Sequence, residues 1–480
     1  MTGPREPLIF ELPPSRPGTY AGGTGAPAAG EGIPGEFLRA SPPPLPRLSE
    51  LDVLRHFTRL SQLNLGVDTA FYPLGSCTMK YNPRLNEEVA ADPAAAGAHP
   101  LWAPDLVQGC LAVLWSVERA LAEVSGFDRV SLQPAAGAQG ELGAMMMVRA
   151  WHQKRGRDPR TIIVPDTSHG TNPASAALCG FKVVTVPSGP DGCADLAALK
   201  GALGADTAAF MVTNPNTLGI FEPRIAEVAR MVHEAGGLVY MDGANMNALL
   251  GVVKPAECGV DLMHFNLHKT FSTPHGGGGP GAGAIAATAA LAPFLPSPVV
   301  ERGERDGRAF YRLDHDRPDS VGALTAFYGN FGVVLRAWAY ITRAGAEGLA
   351  RVSRHAVLNS AYVRARLAGL LPAAYPGPSM HETVFTAAPL KARGLSALDL
   401  AKRLLDYGFY APTIYFPLIV PEAVMVEPTE TESRGTLDSF VEAIGRILTE
   451  DPELVRTAPH TTPVSRLDEV KAAREPVLKA

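Results

Sequence analysis

The sequence has few cysteines, no large excess of charge and no long uninterrupted apolar run. Its five cysteines form an odd set whose spacing fits neither a zinc site nor a disulfide framework, so we expect a reducing compartment. The net charge of -5 and the pI of about 6.2 argue against the basic surface that nucleic-acid binding requires. These features favour a cytoplasmic protein that does not bind nucleic acid.

The sequence also shows no pattern typical of a targeting segment or a membrane-spanning segment. The first residues, MTGPREPLIFELPPSRPG, lack the apolar core of a signal peptide and the Arg/Ser-rich character of a transit peptide. The most apolar long stretch, residues 281–300, is rich in Gly and Ala and is interrupted by prolines. We therefore interpret it as strand and loop, and we expect no membrane association.

Glycine and proline are frequent, with 48 and 43 residues, which is typical of a protein with many shaped loops. Residues 1–48 are rich in Pro, Gly and Ala and predict an extended arm. The length of 480 residues predicts two or three domains. We place an arm and first helix at 1–90, a large α/β domain at 91–320, and a linking helix with a smaller α+β domain at 321–480.

The middle of the chain alternates apolar strand-like runs with helical stretches. Several runs are apolar throughout, as buried parallel strands are, so the pattern predicts a mainly parallel sheet with helices on both faces. The five predicted strands cover residues 161–166, 181–187, 208–214, 237–242 and 261–266. Further predicted elements are helices over 48–65, 107–124, 195–203, 223–235, 356–370, 397–407 and 436–448, a helix after 332, a strand near 383–386 and an irregular tail from 451.

Polar and small residues follow four of these strands. Because ligands bind beyond the carboxyl ends of parallel strands, we expect these residues to line one site. The candidates at the strand ends are His169, Asn216, Asp242, Ala244, His268, Lys269 and Thr270.

Lys269 stands just after an apolar run and just before a glycine-rich loop at 276–279. A lysine in this place can hold an anion, or it can form a Schiff base with a carbonyl cofactor. The glycines follow the lysine, whereas the phosphate-loop motif places them before it. This order favours the Schiff base, the chemistry that anchors pyridoxal phosphate (PLP). The alternative is a surface lysine beside a glycine turn.

PLP requires a carboxylate for its ring nitrogen, a flat group against its ring and a cradle for its phosphate. Asp242 is the candidate for the ring nitrogen, and His169 is the candidate for stacking. The plainer interpretations are a helix or turn cap for Asp242 and an ordinary hydrogen-bonded loop histidine for His169. The phosphate is expected at the N-terminus of a helix, where unpaired N–H groups attract anions, on Ala136, Gly137 and Ala138.

Several longer motifs carry a resemblance that covers residues 50 to 440. The chain resembles the P-protein family of the glycine cleavage system, in its two-subunit form, as the second (β) subunit. The matching stretches are FYPLGSCTMKYNP, PAAGAQGE, DTSHGTNPASA, TNPNTLGIFE, DGANMNA, NLHKTFSTPHGGGGPGAG, AFYGNFGVVLRAWAYI and APTIYFPLIVPEAVMVEPTETES.

The resemblance implies a fold-type I PLP-dependent transferase fold, like that of aspartate aminotransferase, with PLP covalently on Lys269. It implies decarboxylation of glycine and transfer of the aminomethyl group to the lipoyl group of the H-protein. It also implies an α subunit of similar fold in an α2β2 assembly. His169 or His268 is the candidate proton donor to the leaving thiolate. Residues 76–82 and 427–431 are candidates for the lipoyl entrance.

Three other interpretations remain open at this stage. One is a different PLP enzyme, such as an aminotransferase or an amino-acid decarboxylase. Another is a non-catalytic subunit that keeps the fold, which the presence of both Lys269 and Asp242 disfavours. The third is a nucleotide-binding protein, which the absence of a G-x-G-x-x-G turn after the first strand disfavours.

Overall fold

The computed structural model describes residues 6–15, 33–41, 44–274 and 281–478. The glycine loop at 276–279 and much of the predicted arm lie outside these ranges. The described α-helices are α1 (Glu50–Gln62), α2 (Arg84–Ala90), α3 (Pro93–Ala96), α4 (Gln108–Ser125), α5 (Gly137–Lys154), α6 (Thr171–Leu178), α7 (Leu196–Ala202), α8 (Ile225–Glu234), α9 (Leu267–Thr270), α10 (Phe331–Leu367), α11 (Ala397–Asp406), α12 (Arg434–Ile447), α13 (Pro452–Arg456) and α14 (Glu469–Arg474).

The largest sheet has seven strands in the order β1-β7-β6-β5-β4-β2-β3. Only β7 runs against its neighbours, so the predicted mainly parallel sheet is confirmed. Each of the five predicted strands is present, with both ends within one residue of the predicted bounds. The strands are β1 (Arg129–Ser131), β2 (Thr161–Pro165), β3 (Lys182–Val186), β4 (Thr207–Thr213), β5 (Leu238–Gly243), β6 (Leu262–Asn266) and β7 (Gly283–Ala287).

Both faces of this sheet are covered by helices. On one face, α5 and α6 pack on strand residues such as Ile162 and Tyr240. On the other face, α4, α7, α8 and the first part of α10 pack on the alternate residues, such as Ile163 and Val239. Because successive side chains of a strand point to opposite faces, strands covered on both sides must be apolar throughout. This explains the continuous apolar runs in the sequence.

Helix α10 connects the large sheet to the C-terminal part of the chain. Val333 near its start belongs to the large core, and Leu367 at its end belongs to the C-terminal core. The helix is interrupted at Gly345, whose φ of 61° and ψ of -179° are not helical. The predicted helix over 356–370 is therefore the second half of this kinked element, and it ends at Leu367.

The C-terminal part is built on a three-stranded antiparallel sheet of β10 (Thr383–Thr386), β12 (Ala423–Val426) and β11 (Thr413–Ile414). Helices α11, α12 and the end of α10 cover it, which fits the predicted α+β arrangement. Residue Leu74 also pairs with Val426, so a segment distant in sequence joins this sheet. The predicted irregular tail is wrong in part, because α13 and α14 lie within it.

A hairpin of β8 (Val299–Arg305) and β9 (Arg308–Asp314) forms a separate two-stranded sheet that the sequence interpretation missed. Within the described ranges, no helix is both long and apolar enough to cross a membrane. All five cysteines are free thiols, as their spacing predicted.

Candidate active site

Asp242 lies at the carboxyl end of β5 and is 2% exposed. The Asn172 side chain donates a hydrogen bond to its Oδ2 at 3.1 Å, and the Ala244 N–H donates to its Oδ1 at 2.9 Å. His264 Nε2 lies 3.5 Å from Oδ1. Burial opposes the charge, but His264, the Ala244 N–H, Lys269 and Asn172 together outweigh it and hold the Asp242 pKa below its ordinary value. Asp242 is therefore an anion at neutral pH.

Lys269 lies on α9, directly after β6, and its Nζ donates a hydrogen bond to the Ser76 carbonyl at 2.7 Å. Lys269 and Asp242 line the same cavity of about 220 Å³. Its other lining residues come from the strand ends, the start of α5 and the turn at Ser76: Ala136, Gly137, Ala138, Glu141, His169, Thr171, Thr213, Thr217, Ala244, Asn245, Asn266 and His268.

Eight of the ten residues predicted for the site therefore line this cavity. The structure does not bring the other two, Asn216 and Thr270, into the lining. Asn216 instead holds its own loop, because its Oδ1 accepts the N–H groups of Leu218 and Ile220. Thr270 is 1% exposed, and its hydroxyl has no hydrogen-bond partner among the described residues.

The start of α5 lies directly against the strands that carry the site. Ala136 is the N-cap, and the N–H groups of the first turn have no partner within the helix. A Cβ on Gly137 would lie 2.0 Å from Asn266 Oδ1, and one on Gly140 would lie 2.9 Å from His264 Cβ. The glycines thus let α5 approach β6 closely. The helix N-terminus, an anion-binding feature, consequently opens into the cavity beside Asp242.

His169 and His268 both line the cavity, and each has its own contacts. His169 Nδ1 lies 2.8 Å from the Thr171 hydroxyl, and its ring meets Phe416 edge-on with centroids 5.6 Å apart. His169 is an exposed residue, but partial desolvation of its ring at the cavity lowers its pKa, so the imidazole is neutral at pH 7. His268 Nδ1 lies 3.2 Å from both the carbonyl oxygen and the nitrogen of Ala282.

Glu141, on α5, is a cavity residue that the sequence interpretation did not select. It is 4% exposed, and its Oε1 lies 2.8 Å from the Thr171 hydroxyl oxygen. Burial, reinforced by the charge of Asp242, raises the Glu141 pKa to about 8. In the sequence, Glu141 is an acidic residue that directly follows Gly140. In the structure, it lies on the face of α5 that packs against the sheet.

The turn at 76–78 is fixed beside Lys269 by acidic residues from the C-terminal sheet. Ser76 and Thr78 have φ values of 66° and 45°, a left-handed conformation that non-glycine residues adopt only when held. The Ser76 N–H donates to Glu382 Oε2 at 2.8 Å, and the Thr78 N–H donates to Glu427 Oε2 at 3.0 Å. These bonds present the Ser76 carbonyl to Lys269.

His381 completes this acidic cluster. Its Nε2 lies 4.0 Å from an oxygen of Glu382 and 4.0 Å from an oxygen of Glu427, and all three side chains are fully buried. Burial lowers the His381 pKa to about 3 and raises those of Glu382 and Glu427 to about 8 and about 7. The cluster therefore carries little charge at neutral pH, which reduces the cost of burying it.

A second cavity of about 940 Å³ has His268 as a lining residue in common with the first. Cys77, Thr78 and Lys80 line it, so the polar turn at 76–82 forms part of its wall. The Lys80 ammonium is buried in that wall, where it donates to Glu430 at 2.9 Å and to Asn247 at 2.8 Å. The turn at 76–82 thus lines a cavity that shares His268 with the Lys269 cavity.

Comparison with known proteins agrees with this architecture. Residues 352–465 match the family model described as glycine dehydrogenase, C-terminal domain, and residues 139–294 match that of aminotransferase class-V. A probable glycine dehydrogenase (decarboxylating) subunit 2 from Caldanaerobacter subterraneus is 54% identical over 93% of this chain and 92% of its own length. The same-named protein of Pyrococcus furiosus is 51% identical over 98% of this chain and 95% of its own length.

Two solved structures share the fold. The crystal structure of glycine decarboxylase (P-protein) of the glycine cleavage system, in inhibitor-bound form, has a TM-score of 0.72 and 23% identity, over 86% of this chain and 93% of that one. A NifS-like protein has a TM-score of 0.61 and 18% identity, over 79% of this chain and 99% of that one. The fold is that of the fold-type I PLP enzymes, and the chain belongs to the glycine dehydrogenase (decarboxylating) subunit 2 family.

Proposed function

We propose that this chain binds PLP on Lys269, decarboxylates glycine and passes the aminomethyl group to the lipoyl group of the H-protein. The observation that carries the proposal is that Lys269 and Asp242 line the same cavity. The cavity fits the cofactor in two further respects. An 18-residue helix begins at its wall, where it can receive the phosphate, and His169 stands at its edge, where it can cover the ring.

PLP, when bound, supplies an electron sink for the electron pair that remains on glycine when CO2 leaves. The protein must keep the ring nitrogen protonated for this purpose. Asp242 suits that role because it is buried, is held ionised, and is fixed by Asn172 and the Ala244 N–H. Lys269 suits the anchoring role because the Ser76 carbonyl holds its amine at the mouth of the cavity.

Transfer to a lipoyl disulfide leaves a thiolate that requires a proton. His169 and His268 are the imidazoles of the described cavity lining, and both stand within reach of a group that enters it. His268 also lines the larger cavity, so it is placed where an arm arriving by that route would meet the site. We propose this larger cavity as the route of the lipoyl arm, with the turn at 76–82 along its wall.

The proposal includes a partner subunit. The relatives are named as subunit 2 of their enzyme, and the P-protein structure shares this fold. We propose that the chain works with a subunit 1 (α) of similar fold in an α2β2 assembly, together with the lipoylated H-protein.

The test is the exchange of labelled CO2 with the carboxyl group of glycine, measured on the assembled enzyme with lipoylated H-protein. Lys269→Ala is expected to abolish exchange, because the amine that holds the cofactor is lost. The matched control is Lys254→Ala, which removes an exposed lysine paired with Glu123 and is expected to leave exchange unchanged. Exchange that persists in Lys269→Ala would refute the proposal, as would a wild-type enzyme that exchanges CO2 with other amino acids but not with glycine.

A further inference from the structure

Three side chains form a continuous chain of contacts at the edge of the cavity. The Thr171 hydroxyl lies 2.8 Å from His169 Nδ1 and 2.8 Å from Glu141 Oε1. The backbone N–H of Thr171 also donates to His169 Nδ1, at 3.3 Å. Both His169 and Glu141 line the cavity that holds Lys269.

Counting protons shows which protonation state satisfies all of the contacts among His169, Thr171 and Glu141. A backbone N–H can only donate, so His169 Nδ1 must be an acceptor and carries no proton. The Thr171 hydroxyl has a single proton, and its contact with His169 Nδ1 is a hydrogen bond only when that proton goes to this nitrogen. The remaining contact, between the Thr171 oxygen and Glu141, is then a hydrogen bond only if Glu141 supplies the proton. All three contacts are satisfied when Glu141 is a neutral acid and the imidazole proton of His169 is on Nε2.

The surroundings of Glu141 favour the neutral form independently of this count. Glu141 is 4% exposed, and Ser175 Oγ approaches its second carboxyl oxygen at 3.5 Å. The anionic Asp242 disfavours a second charge, whereas Lys269 favours one, and burial is the largest influence. The titratable groups that face this part of the cavity are Tyr240 and Asp242 from β5, His264 from β6, Lys269 from α9 and His169 from the loop before α6.

We propose that Glu141, Thr171 and His169 form a proton relay in which Glu141 stores the proton that His169 delivers. The proton on His169 Nε2 passes to an acceptor in the cavity, Nδ1 takes the Thr171 hydroxyl proton, and Thr171 takes the Glu141 proton. His169 ends as the neutral tautomer with its proton on Nδ1, Thr171 again has one hydroxyl proton, and Glu141 is the one member of the relay that changes charge. Under the proposed function, on which this step rests, the acceptor is the thiolate released from the lipoyl group.

The relay gives Glu141 a positioning role that differs from simple packing. A glutamine at this position can donate to the Thr171 oxygen and keep the His169 tautomer, but it cannot release a proton. A valine in place of Thr171 keeps the shape and removes the hydroxyl, whereas a serine restores it. These substitutions separate a relay from a purely structural contact.

The first measurement is infrared spectroscopy of the protein without substrate. The spectrum of the wild type minus that of Glu141→Gln is expected to show a protonated-carboxyl band at pH 6 that disappears as the pH rises through about 8. A difference spectrum without this band at pH 6 would overturn the proposal. Because it needs neither cofactor nor substrate, this result stands even if the enzyme does not decarboxylate glycine, an outcome that would sink the proposed function alone.

The second measurement is the rate of aminomethyl transfer against pH on the assembled enzyme. Glu141→Gln is expected to bind PLP with an unchanged absorbance but to transfer at least about tenfold more slowly, since positioned proton donors contribute roughly 10²–10⁴ in rate. The fall in rate above about pH 8 in the wild type should vanish in this variant. Thr171→Val should be slowed similarly and Thr171→Ser rescued, so equal rates in these two variants would overturn the relay.

Discussion

Glu118 offers a quantitative test of the electrostatics inside the large domain. It lies on α4, is 2% exposed, and accepts a hydrogen bond from the Tyr328 hydroxyl. Burial raises its pKa to about 8, against an ordinary value of 4.5. Between these two values the folded protein binds one proton more than the unfolded chain at this position. The free energy of unfolding must therefore fall as the pH rises.

Glu118→Gln removes this dependence and keeps a group that accepts from Tyr328. One pKa unit corresponds to about 1.4 kcal/mol, so the variant should gain stability over the wild type by about that amount per pH unit from 4.5 to 8. At pH 7 the accumulated difference is about 3 kcal/mol. The sign follows from the direction of the shift, because an acid with a raised folded pKa is most stabilising when it is protonated in both states.

The assay is urea unfolding of the wild type and Glu118→Gln at pH 5, 6, 7 and 8. The control is Glu123→Gln on the same helix, where a hydrogen bond from Lys254 lowers the pKa of an exposed carboxyl. The control should show no gain over the wild type as the pH rises. A stability difference between Glu118→Gln and the wild type that stays flat from pH 5 to 8 would refute the reasoning.

Three further substitutions test the site and its frame. Asp242→Asn should slow glycine decarboxylation about a hundredfold at equal cofactor loading, because a buried charge facing the reaction is lost; unchanged steady-state rates would contradict its role. Gly243→Ala places a Cβ 2.0 Å from a backbone oxygen of β6 and should cost about 1–3 kcal/mol in thermal unfolding, whereas Gly201→Ala, with open space around it, should not destabilise. Lys80→Met leaves the buried Glu430 side chain without a cation and should cost about 3–5 kcal/mol in urea unfolding, so a neutral effect would count against that buried pair.

The strands and the main site residues were predictable because their signals are local. Parallel strands covered on both faces are short apolar runs, and the five predicted runs became β2 to β6. The residues that follow such strands share one edge of the sheet, which is why Lys269 and Asp242 were placed in a common site. The position of Asn216 outside the cavity lining has a local cause too, since its side chain closes its own turn.

The missed features depend on contacts between distant segments. The Ser76 N–H and Glu382 are 306 positions apart, so no periodicity shows that the C-terminal sheet holds the turn beside Lys269. Glu141 was missed for a similar reason. A carboxylate in a helix predicts a solvated face unless the helix is known to lie on a sheet. The Gly140 beside it allows that close packing, but its meaning appears only when His264 is seen against it.

The identity of the cofactor lysine is the claim on which the catalytic account depends. The most direct measurement is borohydride reduction of the PLP-loaded protein, followed by digestion and mass spectrometry of the peptides. Anchoring of PLP on Lys269 predicts a pyridoxyl group on the peptide that contains this lysine, and none in Lys269→Ala. A pyridoxyl group on another lysine, or no adduct in the loaded wild type, would contradict it.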